Sequence, residues 1–312
     1  FNSCGIPLGL AYVAAALEQN GVTVLVNDQY QSGKSNEAIV KEVIREKPDI
    51  VGFSCLANTL DTVKQISKGI KEYFRPIMVA GNINAAIFCD FLLRERIIDI
   101  AVRCEGEYAM QEIATAIRDK KPLQEIQGIS FMHNGRVVHN EDRFPIENID
   151  DLPYPAHHLF DLTKYRSHLF FLQSGLGLPV SVSRGCNYHC IFCASKVIHK
   201  KLRIRSPENI AEEISSFNKL YGAKFFGLTG SYFPISAEHT DKFCEALIKR
   251  GLHKKIKWIT ESRVDKVTPE LLRKMKRAGL HLIMFGCDFG TERILQEMQK
   301  GHLSQRQAAA QI

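Results

Sequence analysis

Twice along the chain, short β-branched runs alternate with stretches of helical periodicity, and this alternation restricts the fold more than any other feature. From residue 7 to about residue 120 the order is LGLAYVAAALEQN, VTVLVN, EAIVKEVIREK, IVGFS, TVKQISKGIKEYF, IMVAG, AAIFCDFLLRE, DIAVR and YAMQEIATAIRD. Apolar residues recur at helical spacing in the longer segments, and Gly21 closes the first of them as a C-terminal cap. The short runs are near-continuous in Val, Ile and Ala, as strands buried on both faces are. Such a series predicts a parallel sheet covered on both sides by helices. It opens on a helix, so a first strand is expected upstream of it.

GISFMHNGRVVHN, 128–140, predicts a β-hairpin, with Asn134 and Gly135 supplying the positive φ angles of a type I′ turn. The alternation lapses in IDDLPYPAHHLFDL, 149–162, which is read as a linker. A second series starts at PVSVS and continues through KFFGL, KWITE and HLIMFG as strands. Ser206-Pro207-Glu208 and Thr268-Pro269-Glu270 open helices between them with an N-cap and a proline in the first turn. About four strands fit before the helix-like AAAQI. Length alone suggests about two domains, and the patterns divide the chain into 1–124, a hairpin and linker over 125–178, and 179–312.

The net charge of +7 is spread along helices, as in KRGLHKKIKW, without the clustered basic stripe and interleaved aromatics of a nucleic-acid surface. No partner of that kind is expected. No uncharged apolar run reaches the length of a transmembrane segment, and the first residues lack a signal-peptide layout. Nine scattered cysteines form no disulfide framework and fit a reducing, cytoplasmic setting, with most thiols as small buried hydrophobes.

Three of the nine stand apart. RGCNYHCIFC places Cys186, Cys190 and Cys193 in one loop directly after a strand, with Gly185 allowing a tight turn before the first thiol. Thiolates so grouped select zinc, copper(I) or an iron–sulfur cluster. A structural zinc site wants four ligands, and no second CxxC lies near; His189 and His199 are the local candidates for a fourth. A cluster held by three thiolates leaves one iron open to a substrate or cofactor, by the logic of an open catalytic metal position.

C-x3-C-x2-C with Phe192 before the last cysteine, following a strand as SRGC, resembles the radical S-adenosylmethionine (SAM) superfamily. The resemblance implies a 4Fe–4S cluster on the three cysteines, SAM on the open iron with Phe192 among its contacts, and reductive cleavage of SAM to a 5′-deoxyadenosyl radical. It also implies an electron donor such as flavodoxin or ferredoxin. Thr229, Gly230 and Ser231 in GLTGSYF fall where the family often has a Gly-Gly-Glu-like segment at the SAM amino group, here without the acid. Glu261 and Arg263 in WITESRVD match a third-strand segment facing SAM. Asp288 in FGCDFGTERIL stands where a Glu is usual, one methylene shorter for a ribose contact. Beyond the cluster site, no catalytic residue is assigned.

The first series is similar to the cobalamin-binding domain that precedes many radical SAM domains, through IPLGLAYVAAALEQNGVTVLVND, PDIVGFSC, IMVAGN, CEGEYAMQEI and the linker DDLPYPA. The implied cobalamin contacts are Ser54, Thr59, Gly81, Asn82, Glu105, Gly106 and Glu107, all at or just after strand ends, where open parallel sheets bind ligands. The Asp-x-His-x-x-Gly motif of a lower axial histidine is absent, and His157 and His158 are read as exposed or packing residues. The expected fold is therefore α/β, a Rossmann-like cobalamin-binding domain followed by a partial (β/α)6 radical SAM barrel. The expected activity is methylation of an unactivated carbon or phosphorus of a small-molecule or peptide substrate. Two alternatives stay open: a radical cyclase or rearrangement enzyme, and a non-catalytic metal- or cobalamin-binding protein.

Overall fold

The computed structural model describes residues 5–165, 175–199, 201–286, 288 and 291–300. The first helix, α1 (Leu8–Gln19), buries Ala11, Tyr12, Ala14, Ala15, Ala16 and Leu17. A single-turn α2 (Gln29–Ser32) and then α3 (Asn36–Glu46) lead to β1 (Ile50–Ser54). The chain continues through α4 (Leu60–Lys71), β2 (Ile77–Gly81), α5 (Ile83–Ile87), α6 (Cys89–Arg94), β3 (Ile100–Val102) and α7 (Gly106–Arg118). The hairpin forms β4 (Ile129–His133) and β5 (Arg136–His139), with Asn134 at φ 48° and Gly135 at φ 76°.

These five strands make one sheet in chain order. β1 to β3 pair in parallel, and the hairpin adds two antiparallel strands beside β3. Period-two alternation sorts the sheet's side chains into two cores. Met78, Ala80 and Ala101 pack with α4 and α6 on one face. Val79, Ile100, Val102, Ile129 and Phe131 pack with α7 and Leu17 on the other.

Two expectations need correction. VTVLVN is no strand: Val22, Val24 and Val26 are partly buried and Thr23 and Leu25 exposed, yet no described strand pairs with it. β-character becomes a ladder only where the run lies in register against an edge, and although β1 bonds only to β2 among the described strands, VTVLVN does not pair with its open side. AAIFCDFLLRE is broken into α5 and α6 at Phe88, whose φ and ψ of −108° and 25° leave the helical region.

The linker packs closely. Ile146, Ile149 and Leu152 gather around Tyr12 of α1, and the Ala156 amide donates to the Ala11 carbonyl at 3.0 Å. His157 is fully buried, whereas exposed His158 lies 3.0 Å from Glu18.

The second series gives β6 (Gly177–Ser181), β7 (Ser183–Arg184), α8 (Ser195–Ile198), β8 (Arg203–Ile204), α9 (Pro207–Tyr221), β9 (Phe225–Thr229), α10 (Ala237–Lys249), β10 (Lys257–Ser262), α11 (Pro269–Arg277), β11 (Leu280–Phe285) and α12 (Glu292–Glu297). β6, β9, β10 and β11 form an all-parallel sheet, ordered β11-β10-β9-β6, and β7 and β8 a short antiparallel ladder. Ser206 and Thr268 cap α9 and α11 as expected. Trp258, Phe226, Phe233 and Phe243 centre the core between this sheet and its helices. The AAAQI run lies outside the described residues.

Candidate functional site

The carboxyl ends of the parallel strands of both sheets open on one cavity of about 1110 Å³. Its wall includes Ser54, Gly81, Asn82, Glu105, Gly106 and Glu107 from the first sheet's strand ends. From the second half it takes Cys186, Cys190, Cys193 and Phe192 of the cysteine loop, then Thr229, Gly230, Ser231, Glu261, Arg263 and Asp288. Residues up to 234 positions apart in sequence are thus gathered on one space. Of the site residues read from the sequence, Thr59 alone is missing from this wall. Its hydroxyl is spent inside the turn, donating toward Ser54 O and Leu56 O and accepting from the Leu56 amide at 2.9 Å.

The cysteine loop leaves the ladder at Gly185, whose φ of 81° is left-handed; a Cβ there would stand 2.0 Å from the Lys201 carbonyl oxygen. Cys186 and Cys190 are partly exposed, Cys193 is exposed, and none is in a disulfide. A mononuclear zinc holds thiolates about 2.3 Å from the metal, hence within about 4 Å of one another. Among the described residues these three thiols are not a group of donors within 4.8 Å of one another. His189 is exposed, and His199 turns to Glu105 with Nδ1 3.0 Å from its carboxylate. Three accessible thiols, spread around a loop that opens on a large cavity, fit a multi-iron cluster better than one closed tetrahedral ion. By contrast, burial pushes the Cys104 thiol up to about 11 and that of Cys244 up to about 12. Cys55 and Cys89 are also buried; Cys4 and Cys287 lie outside the described residues.

β9 ends against the same loop. A Cβ on Gly230 would come within 2.6 Å of Ser183 Oγ and 3.3 Å of the Ser183 carbonyl oxygen, so a larger residue would require Ser183 to shift. Ser231 donates its hydroxyl to the Gly185 carbonyl oxygen. On β10, Trp258 and Thr260 point into the core, while Glu261 faces out into the cavity. Arg263 stacks 3.8 Å from the Tyr188 ring and binds Asp265 through Nε at 2.9 Å. Asp288 is paired with Lys300. Ser231, Arg263 and Asp288 therefore already have protein partners, unlike the open ligand contacts expected of them.

In the first domain, Asn82 holds φ 77° and ψ 178°, a region left almost entirely to glycine. Its side-chain oxygen accepts the Ile83 amide at 2.7 Å, and its amide nitrogen donates to Ser54 Oγ at 3.1 Å. This strained turn sits where a sheet of this kind binds its ligand. Glu105 and Glu107 differ from the expected pattern. Both are buried, and their carboxylates are taken by arginines of the second domain. Arg203 grips Glu105 in bidentate fashion, both bonds 2.7 Å, and Arg184 Nη2 lies 2.5 Å from Glu107. Burial alone would raise the Glu105 carboxyl, but bonds from His199 and Arg203 and the Arg184 charge hold it well below the ordinary carboxylate range. Sequence reasoning missed Arg184 and Arg203. The period-two spacing in LRIRS, 202–206, was the available signal, since it sets Arg203 and Arg205 on one side of a strand.

Comparison with known proteins agrees with this arrangement. A family model described as "B12 binding domain" matches residues 1–114, and one described as "Radical SAM superfamily" matches residues 180–311. An uncharacterised methyltransferase of Pyrococcus horikoshii is 30% identical over 306 residues, covering 95% of this chain and 64% of the relative. An anaerobic magnesium-protoporphyrin IX monomethyl ester cyclase of Cereibacter sphaeroides is 25% identical over 305 residues, covering 94% of this chain and 49% of the relative. The structure of the cobalamin-dependent SAM radical enzyme OxsB, with aqua-cobalamin and SAM bound, superposes with a TM-score of 0.79. That likeness is at 23% identity and covers 100% of this chain and 45% of the other. The chain thus spans less than two thirds of the length of these relatives. With the two matched domains in tandem and their strand ends on a shared cavity, the chain belongs to the cobalamin-binding branch of the radical SAM superfamily.

Proposed function

We propose that the protein carrying this chain is a cobalamin-dependent radical SAM methyltransferase acting on an unactivated carbon or phosphorus of a small-molecule or peptide substrate. One observation carries the reading: the three loop thiols and the first domain's strand ends share a single cavity. When bound there, a 4Fe–4S cluster with SAM supplies one-electron cleavage of a sulfonium bond, and cobalamin supplies a methyl carrier.

The chain's own part is positioning. Cys186, Cys190 and Cys193 would hold the cluster as thiolates, and Phe192, on the same wall, would contact SAM. Gly230 lets the backbone near Thr229 and Ser231 approach SAM, with carbonyl oxygens to accept from its ammonium. Glu261 and Arg263 bind from the β10 end, and Asp288 must exchange Lys300 for a ribose hydroxyl. Ser54, Gly81, Asn82 and Gly106 bring hydroxyl, amide and bare backbone to the corrin, while Thr59 shapes their turn. Holding both groups on one cavity fixes the distance between them and removes the entropy of encounter. Electrons come from a flavodoxin- or ferredoxin-type donor, which fits a cytoplasmic setting. No helix among the described residues is long and apolar enough to cross a membrane.

The cyclase likeness supports a second reading, radical cyclisation without methyl transfer. The test is made on the whole protein, purified without oxygen and reconstituted with iron, sulfide and cobalamin, then given SAM and a reductant. Methyl transfer yields both 5′-deoxyadenosine and S-adenosylhomocysteine by mass spectrometry. Deoxyadenosine alone would turn the assignment to the cyclase reading. Neither product, with an intact cluster and a panel of candidate substrates, would overturn both.

A further inference from the structure

The cysteine loop, 185–202, is closed at its base by the β7–β8 ladder, in which Arg184 and Arg203 are direct cross-strand partners. Like charges opposite one another destabilise a ladder. Here the two guanidiniums sit side by side with little exposure, 11% for Arg184 and 5% for Arg203. Glu105 resolves the conflict. Its Oε1 is 2.7 Å from Arg203 Nη2, 3.0 Å from His199 Nδ1 and 3.6 Å from Arg184 Nη1. Its Oε2 takes Arg203 Nη1 at 2.7 Å and the Ile146 amide at 2.9 Å. Glu107 adds a second bond to Arg184, which also lies over the Tyr12 ring at 5.0 Å.

One carboxylate of the first domain therefore touches the residue two before the first loop cysteine and residues six and ten after the last. It lies in the β3–α7 turn at the carboxyl end of the first sheet, where an open parallel sheet binds its ligand. We infer that Glu105 and Glu107 are positioning residues that fasten both ends of the cluster loop to the B12 binding domain, so that the geometry of that domain's ligand-facing turn sets the geometry of the loop. The inference rests on the proposed reading of the loop as a cluster site, but the fastening itself belongs to the protein and needs no cluster.

The asymmetry of the contacts makes the test specific. Glu105 holds both ends of the loop, and Glu107 holds only the Arg184 end. In metal-free whole protein, hydrogen exchange of 185–199 should rise throughout in Glu105→Gln. In Glu107→Gln it should rise only at the Cys186 end, and Glu105→Asp should return it toward wild type. With the cluster reconstituted, Glu105→Gln should lose iron to a ferrous chelator about tenfold faster, the low end of what altering a ligand's supporting partners does. The electron paramagnetic resonance spectrum of the reduced cluster should shift with it. Glu213→Gln is the control: it disrupts the fully buried Glu213–Arg205 pair, which bonds to none of the described loop residues, and should lower thermal stability without moving either readout. Wild-type exchange and iron loss in folded Glu105→Gln would overturn the inference, as would an equal effect from Glu213→Gln. If the wild type takes up no cluster, the functional reading fails alone, and hydrogen exchange on the metal-free protein still decides whether the fastening exists.

Discussion

His157 carries its chemistry in its burial. Its ring lies 4.5 Å from that of Phe217, and neither ring nitrogen has a hydrogen-bond partner among the described residues. Burial, helped by the nearby charge of His158, brings its pKa down to about 4. An unfolded histidine titrates near 6.5, so as pH falls from about 6.5 to 4 the unfolded chain takes the proton first. The stability His157 contributes is whole above that window and drains away within it. Between pH 7.5 and pH 5 the wild type should lose about 2 kcal/mol more than His157→Phe, which keeps an aromatic against Phe217. Urea unfolding at the two pH values measures this, and equal losses would show the ring to be solvated. The residue also shows what a sequence leaves open. The linker setting left His157 either exposed or packing, and its complete burial depended on α9, more than fifty residues on.

At the scale of elements, local features were legible and distant pairings were not. The hairpin turn at Asn134-Gly135, the capped starts of α9 and α11 and the cysteine loop all draw their signal from within a few residues. The fate of VTVLVN depended on whether a distant strand lies in register beside it, and the roles of Glu105 and Glu107 on arginines about eighty and a hundred residues away. Gly185 belongs to the legible class, and its neighbours make it testable. Its Cβ would strike a backbone oxygen at 2.0 Å, where nothing flexible can yield, whereas Gly135 has a similar φ and open space around it. Gly135→Ala should cost about 1 kcal/mol, the ordinary penalty of a left-handed alanine. Gly185→Ala should cost at least about 3 kcal/mol or break the β7–β8 ladder, as severe backbone clashes do. Paired urea denaturation curves compare the two, and similar costs would mean that the loop base relaxes freely.

The whole molecule has separate cores joined by a polar seam. Ile6 and Ala11, in and just before α1, contribute to the core of the second half, while Leu17 at the other end of the same helix serves the first sheet. Beside α1, the seam holds Arg184, Arg203, Glu105 and Glu107, all buried or nearly so. Parting the domains would strand these charges, at a cost that makes partial opening unfavourable while every pair is complete. Unfolding should therefore be cooperative across both halves. The single Trp258 reports on the second core alone, and far-UV circular dichroism reports on all helices. In the wild type the two probes should share one urea midpoint. Arg203→Met removes the bidentate partner of Glu105 while keeping an unbranched side chain, and should cost about 3–5 kcal/mol of coupling. The dichroism curve should then broaden and part from the Trp258 curve, because the first domain is released before the second. If both midpoints fall together, packing of α1 holds the halves as one unit, and the buried ions orient the interface without making it cooperative.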